Sequence, residues 1–153
     1  MVRIENSRIF PVDPEVGFDW ITKPTNWPAF WPDLVEIPHL EQTRWQEPGD
    51  TARLQMRLAG RFTELHMTLD QLSRPSLVRY HSTQQGVPDA AHERLFEPAD
   101  GGFKYTLVVS FAPRAGLRGL FDRTLVRYAT SRALRRTLDN LEERLPGSAG
   151  RAR

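Results

Sequence analysis

Cysteine is absent from this chain, which removes at once any disulfide framework and any thiolate-bound metal. The absence agrees with a reducing compartment, and the expected location is the cytoplasm. Long apolar runs are missing too: nothing approaches the ~20 residues a membrane-spanning helix requires. The start, Met1-Val2-Arg3-Ile4-Glu5, lacks the apolar centre of a secretory leader. No H-E-x-x-H, G-x-S-x-G or phosphate-cradling glycine loop occurs, so zinc-protease, serine-hydrolase and nucleotide-loop chemistries have no footing. The histidines, His39, His66, His81 and His92, have no metal-ligand spacing. We expect no metal and no organic cofactor.

A net charge of +2 is too small to argue for a nucleic-acid partner. Arginines do gather late in the chain, at 114, 118, 123, 127, 132, 135, 136 and 144, against acids at 122, 139, 142 and 143. That pattern fits a solvated helix face, with an anionic surface or ligand as the alternative. At 153 residues the chain is long enough for one domain with a real core, expected over 1–145, followed by a flexible tail over 146–153.

Residues 2–10 alternate well enough for a first strand. Asp13-Pro14-Glu15 then starts a helix, with Asp as N-cap, Pro at the first helical position and an acid in the first turn. That helix should stop before Lys23-Pro24. Between Pro28 and Pro32 only a short helical turn fits. Six more strands are expected. The first covers 34–45 and closes at Glu47-Pro48-Gly49-Asp50. In the next, Ala52, Leu54, Met56 and Leu58 alternate with polar residues, and after Gly60-Arg61 so do Thr63, Leu65, Met67 and Leu69. Val78, Tyr80 and Ser82 mark another strand, and 92–97 the one after it. Asp100-Gly101-Gly102 is a hairpin turn, and Tyr105, Leu107, Val109 and Phe111 form the inner face of the last strand.

One long amphipathic helix should run from Ala112-Pro113 to Leu145. Leu117, Thr124, Ser131, Leu138 and Leu145 recur at heptad spacing, with Leu120, Leu134 and Leu141 beside them. The stripe is leucine at both ends and polar in its middle, at Thr124, Tyr128 and Ser131. Either this helix walls a cavity at its centre, or it shifts its buried face at a bend. An antiparallel meander with one apolar face needs a cover, and this helix is the one element long enough. The fold expected is therefore α+β: a seven-stranded curved antiparallel sheet wrapped around a long C-terminal helix, with two short helices after the first strand.

Candidate ligand-binding residues are the apolar strand positions Leu54, Met56, Leu58, Leu65, Met67, Leu69, Leu107 and Val109. Leu120, Thr124, Tyr128 and Ser131 of the helix join them, as do Trp27, Phe30 and Trp31. Each strand residue also reads as ordinary core; the case rests on the set, and methionines suit adaptable linings. The three aromatics either plug one end of the sheet or frame a pocket mouth. His39, His66 and His81 read as solvated. His92 and Arg94 share the phase of Phe96. If Phe96 points inward, so do they, and Arg94 then needs an oxygen partner; if the strand is a twisted edge, Arg94 reaches solvent.

Several stretches resemble the START-like superfamily, the helix-grip fold shared with the major birch-pollen allergen. These are Phe10-Pro11-Val12-Asp13-Pro14-Glu15-Val16, Trp27-Pro28-Ala29-Phe30-Trp31-Pro32-Asp33, Pro48-Gly49-Asp50, Leu95-Phe96-Glu97-Pro98 and Leu141-Glu142-Glu143-Arg144-Leu145. Within that superfamily the chain is similar to the bacterial polyketide cyclase/dehydrase and lipid-transport group. The resemblance implies binding of a hydrophobic small molecule (lipid, isoprenoid, quinone or polyketide-like) between sheet and helix. Alternatively it implies a cofactor-independent cyclase or dehydratase, which folds a reactive poly-β-ketone while an Arg and a Tyr polarise carbonyls and move protons. Arg94, Tyr80 and Tyr105 are the inward candidates for those roles. No iron-binding His/Asp set of the ring-hydroxylase branch is visible. A protein partner is not indicated, and a monomer or homodimer is expected.

Overall fold

The computed structural model describes residues 1–148. Seven strands form one antiparallel sheet in the order β1-β7-β6-β5-β4-β3-β2. They are β1 (Val2–Phe10), β2 (Leu34–Glu36), β3 (Thr51–Leu58), β4 (Arg61–Ser73), β5 (Leu77–Gln84), β6 (Ala90–Ala99) and β7 (Gly102–Phe111). From β3 onward each strand pairs with the next in sequence, and β7 returns to β1 with Phe10 opposite Phe103. This is the curved α+β sheet expected.

Helix α1 (Pro14–Ile21) begins as its sequence dictates: the Asp13 carboxylate accepts hydrogen bonds from the backbone N–H of Glu15 at 2.9 Å and of Val16 at 3.4 Å. It lies close over β7. A Cβ at Gly17 would overlap the Phe103 ring, so only glycine permits this approach. Phe18 meets Phe96 edge to face at 4.8 Å between centroids. A 3₁₀ turn, Pro24–Ala29, follows, as the prolines require.

The expected strand over 34–45 is only partly formed. β2 stops at Glu36, with a register shift between Leu34 and Glu36, and Leu40–Gln42 is a 3₁₀ turn. Pro38 offers no backbone donor and His39 sits at φ 57°, which together end the ladder. Ile37 and Trp45 are buried at 6% and 5% exposure, so this segment feeds the core without being a strand.

The terminal helix runs for 28 residues but is not uniform. α2 (Leu117–Phe121) passes through a π turn, Asp122–Val126, into α3 (Arg127–Arg144). The expected heptad stripe does not hold through its first half. Leu117 and Leu120 are 87% and 61% exposed, and Thr124 is exposed with its hydroxyl donating back to the Leu120 carbonyl at 2.7 Å. The buried face is Asp122 and Val126, then Leu134, Leu138 and Leu141, with Leu145 just beyond. A straight helix already drifts ~20° per heptad, and a π turn adds a further residue to the count. α3 is held across β1 by Arg8, which donates to Asp139 at 2.7 Å. Asn140 donates to the Phe30 carbonyl at 2.9 Å. At the end of the helix the Ser148 backbone N–H donates to the Leu145 carbonyl at 3.0 Å; the remainder of the expected tail, 149–153, lies outside the described residues.

Candidate functional site

The sheet does not close fully onto the helix. A cavity of about 1170 Å³ lies between β3–β7, residues 121–137 of the terminal helix and the Trp27–Trp31 segment. Pockets for small molecules span roughly 300–1,000 Å³, so this one accommodates a sizeable ligand. Small residues keep it open on the helix side: Ala129, Thr130, Ala133 and Thr137 face it. A soft centre of the helix therefore exists, one register away from the one expected. The signal in the sequence was the i, i+4 series Val126, Thr130, Leu134, Leu138, which the more conspicuous leucine heptads concealed.

Of the sequence candidates, Trp27, Phe30, Trp31, Met56, Leu58, Leu65, Met67, Tyr80, Arg94, Tyr105, Val109 and Tyr128 border the cavity. Leu54, Leu69 and Leu107 do not; at 0%, 1% and 0% exposure they are packed core. Leu120, Thr124 and Ser131 are absent from the lining: Leu120 and Thr124 precede or lie within the π turn, which offsets their face from that of α3, and Ser131 shares the heptad face of Leu138 and not the face of Ala133. Sequence reasoning missed Phe62, Phe121, Leu125 and the 85–88 loop, all of which border the opening.

Polar groups converge on one wall, across β5 and β6. β6 is an interior strand between β5 and β7, so Arg94 has no free edge to leave by. It stands opposite Val78 and Leu107, and Phe96, two residues on, is 2% exposed. The phase is inward. The Arg94 guanidinium donates to the Tyr80 hydroxyl at 2.8 Å and to the Glu93 carbonyl at 3.3 Å. Among the described residues no carboxylate lies within ion-pair distance of it, whereas Glu93 turns outward to Arg79 at 3.5 Å. A guanidinium has five donors, so these two contacts leave it capacity toward the cavity.

His92 also lines this wall. Its ring stacks on Tyr80 with centroids 4.4 Å apart and 5° between planes, and its Nε2 lies 2.8 Å from the Ser82 hydroxyl. Its Nδ1 is buried without a partner. Burial first, then the nearby Arg94 and His81 charges, drives its pKa well below the ordinary histidine value, so the ring is neutral. Burial likewise raises Tyr80 and Tyr105, against a smaller opposing pull from Arg94, and both remain phenols that can donate. Trp45 packs edge-on to Tyr80 at 5.6 Å and to Trp27 at 5.5 Å, joining the polar wall to the aromatic end. Trp27 is anchored as structure: its indole N–H donates to the Ile21 carbonyl at 3.0 Å.

The rim has its own fastening. Asp122, fully buried in the π turn, accepts from the Arg114 backbone N–H at 2.8 Å and from its guanidinium at 2.7 and 3.0 Å. Arg114 also donates to the Gly86 carbonyl at 3.3 Å. The 85–88 loop is thereby tied to the start of the terminal helix. His39, His66 and His81 are exposed, and no cluster of three metal-ligating side chains occurs among the described residues. No helix among those residues is long and apolar enough to cross a membrane.

Solved structures share this architecture at low identity. A protein from Thermus thermophilus is 15% identical with a TM-score of 0.76, covering 94% of this chain and 97% of its own. The Zhui aromatase/cyclase from a Streptomyces species is 13% identical with a TM-score of 0.69, covering 95% and 98%. The di-domain aromatase/cyclase StfQ of the steffimycin biosynthetic pathway is 14% identical with a TM-score of 0.74, over 97% of this chain and 52% of its own. At such identities the likeness establishes the fold alone. No curated protein matches in sequence. The sequence profile described as "Polyketide cyclase / dehydrase and lipid transport" matches residues 1–146, and the chain belongs to that family.

Proposed function

We propose that the protein binds a hydrophobic small molecule (a lipid, isoprenoid, quinone or polyketide-like compound) that carries an oxygen function at one end. The apolar body packs against Met56, Met67, Val109 and the aromatic residues; the oxygen meets Arg94. One observation carries this reading: an inward arginine in a largely apolar cavity with no carboxylate among the described residues to pair it. A carbonyl, carboxylate or phenolate oxygen supplies the missing acceptor through a charge-assisted hydrogen bond. Native mass spectrometry of freshly purified protein tests this, through a co-purified ligand and its exact mass. Protein that carries none, and that takes up neither a long-chain fatty acid nor an apolar dye, refutes it.

A second reading, a cyclase or dehydratase of polyketide-like substrates, is favoured by the Arg94–Tyr80 hydrogen bond. The Tyr80 hydroxyl accepts from Arg94 and keeps its own proton to donate. Arg94 would stabilise the oxygen of an enolate formed when the methylene between two carbonyls loses a proton. That carbon, its proton taken up by a water in the cavity, attacks a second carbonyl and closes the ring; a tyrosine protonates the new alkoxide and recovers its proton through the same water, and elimination of water then leaves a carbon–carbon double bond. Burial keeps Tyr105, like Tyr80, in the phenol form this step needs. Turnover of a synthetic poly-β-ketone with wild-type protein, lost in Arg94→Leu, separates this reading from simple binding.

A further inference from the structure

The first half of the terminal helix turns its large apolar side chains to solvent. Leu117, Leu120, Phe121, Leu125 and Tyr128 recur along one face and are 87%, 61%, 42%, 59% and 62% exposed. Such a stripe normally faces a core. Phe121, Leu125 and Tyr128 also border the cavity, so the stripe forms one lip of its mouth. The tip of the β3–β4 hairpin forms the other lip: Phe62, the second residue of β4, borders the cavity and is 58% exposed. Contiguous exposed apolar surface of this kind marks an interaction site.

Charge decides the partner. From Arg114 to Arg136 the chain holds seven arginines and one acid, Asp122, which is buried against Arg114. Arg118, Arg123 and Arg127 are exposed and interspersed with the apolar stripe. On the opposite lip Arg57 and Arg61 are exposed, and the Arg57 guanidinium lies 5.3 Å from the Phe62 ring centroid. Apolar side chains with arginines around them are the composition of a helix that lies in an anionic membrane interface.

We propose that this face docks on an anionic lipid bilayer. The apolar side chains of both lips enter the acyl boundary and the arginines meet lipid phosphates. The cavity then opens toward the bilayer, and an apolar ligand passes between membrane and protein without crossing water. The docking itself stands on the surface; its use for ligand exchange rests on the cavity reading above.

Sedimentation of the whole protein with vesicles tests the proposal. Vesicles of mixed phosphatidylglycerol and phosphatidylcholine should bind it at least roughly tenfold more tightly than phosphatidylcholine alone, and added salt should weaken the binding. Leu117 and Leu120 do not line the cavity, so Leu117→Glu/Leu120→Glu should lose vesicle binding while keeping uptake of an apolar dye. Arg118→Glu/Arg123→Glu should do the same. Wild-type protein that takes up dye but ignores the anionic vesicles overturns docking and leaves the cavity reading intact. Protein that binds vesicles but takes up no dye supports docking and overturns the cavity reading. If the variants bind vesicles as well as wild type, or if Leu117→Glu/Leu120→Glu instead abolishes a dimer in lipid-free solution, the bilayer is the wrong partner.

Discussion

The His92 ring lies flat on the Tyr80 ring, 4.4 Å away and within 5° of parallel, with one nitrogen held by Ser82 and the other without a partner. This position is tolerable for a neutral imidazole and hostile to a charged one. The folded-state pKa is depressed, so in acid the unfolded chain takes up a proton that the folded chain refuses. Stability should be flat in this respect above about pH 6.5, the ordinary histidine value. Below it stability should fall, by at most about 1.36 kcal/mol per pH unit for one proton. Urea titrations across this range check the slope. His92→Phe keeps a stacking ring and should flatten it, whatever its effect on absolute stability.

Arg94→Leu separates the polar anchor from the apolar cavity. Affinity for a fatty acid or phenolic ligand should fall by about 1.5–3 kcal/mol, the worth of a hydrogen bond to a charged group. Affinity for a dye that carries no oxygen acceptor should change little. In a cyclisation assay the same variant should lose about two to three orders of magnitude in kcat. Equal loss for all ligands would show that Arg94 supports the cavity's shape and does not contact the ligand.

Ala133→Trp should block the cavity from the helix side. Ala133 borders the open space, so the indole has room, and the cost should stay below the ~1–3 kcal/mol typical of overpacking a filled core. Dye uptake should vanish while the melting temperature holds. Thr124→Trp is the matching control: Thr124 faces away from the cavity, and its replacement should leave uptake intact.

Asp122→Asn removes the charge that holds Arg114 and, through it, the Gly86 carbonyl. Hydrogen exchange in the 85–88 loop should accelerate and the melting temperature should drop. Arg114 holds the Asp122 carboxyl below the ordinary aspartate range. Its contribution is therefore complete above about pH 3.9 and is lost as pH falls through the lower folded-state value. The loss through Asp122 sets in only below about pH 3.9, whereas that through His92 sets in below about pH 6.5, so the onset of each distinguishes the groups.

Local chemistry alone determined much of this protein. The alternation in β3 and β4, the Asp13-Pro14 helix start, the proline-limited 3₁₀ turn and the Gly101-Gly102 hairpin depend on neighbours a few residues apart. These signals are written in the chain itself. The inward phase of Tyr80, Met56 and Met67 was legible for the same reason, since a strand alternates with a period of two.

Only the tertiary structure decided the rest. Whether Arg94 and His92 face a cavity depended on β6 lying between β5 and β7, a pairing set by residues far apart in sequence. Pro38 and the left-handed His39 ended the strand after Glu36, although Ile37 and Trp45 kept an apolar pattern that served the core. The cavity wall of the terminal helix was misassigned to Thr124 and Ser131 because helical phase accumulates. Over 28 residues a small drift per heptad, together with the π turn at Asp122–Val126, carries Leu117 and Leu120 to solvent and Ala129 and Ala133 to the cavity. The sequence contains every residue of that turn, but the buried Asp122–Arg114 pair and the packing around it decide which way the helix faces.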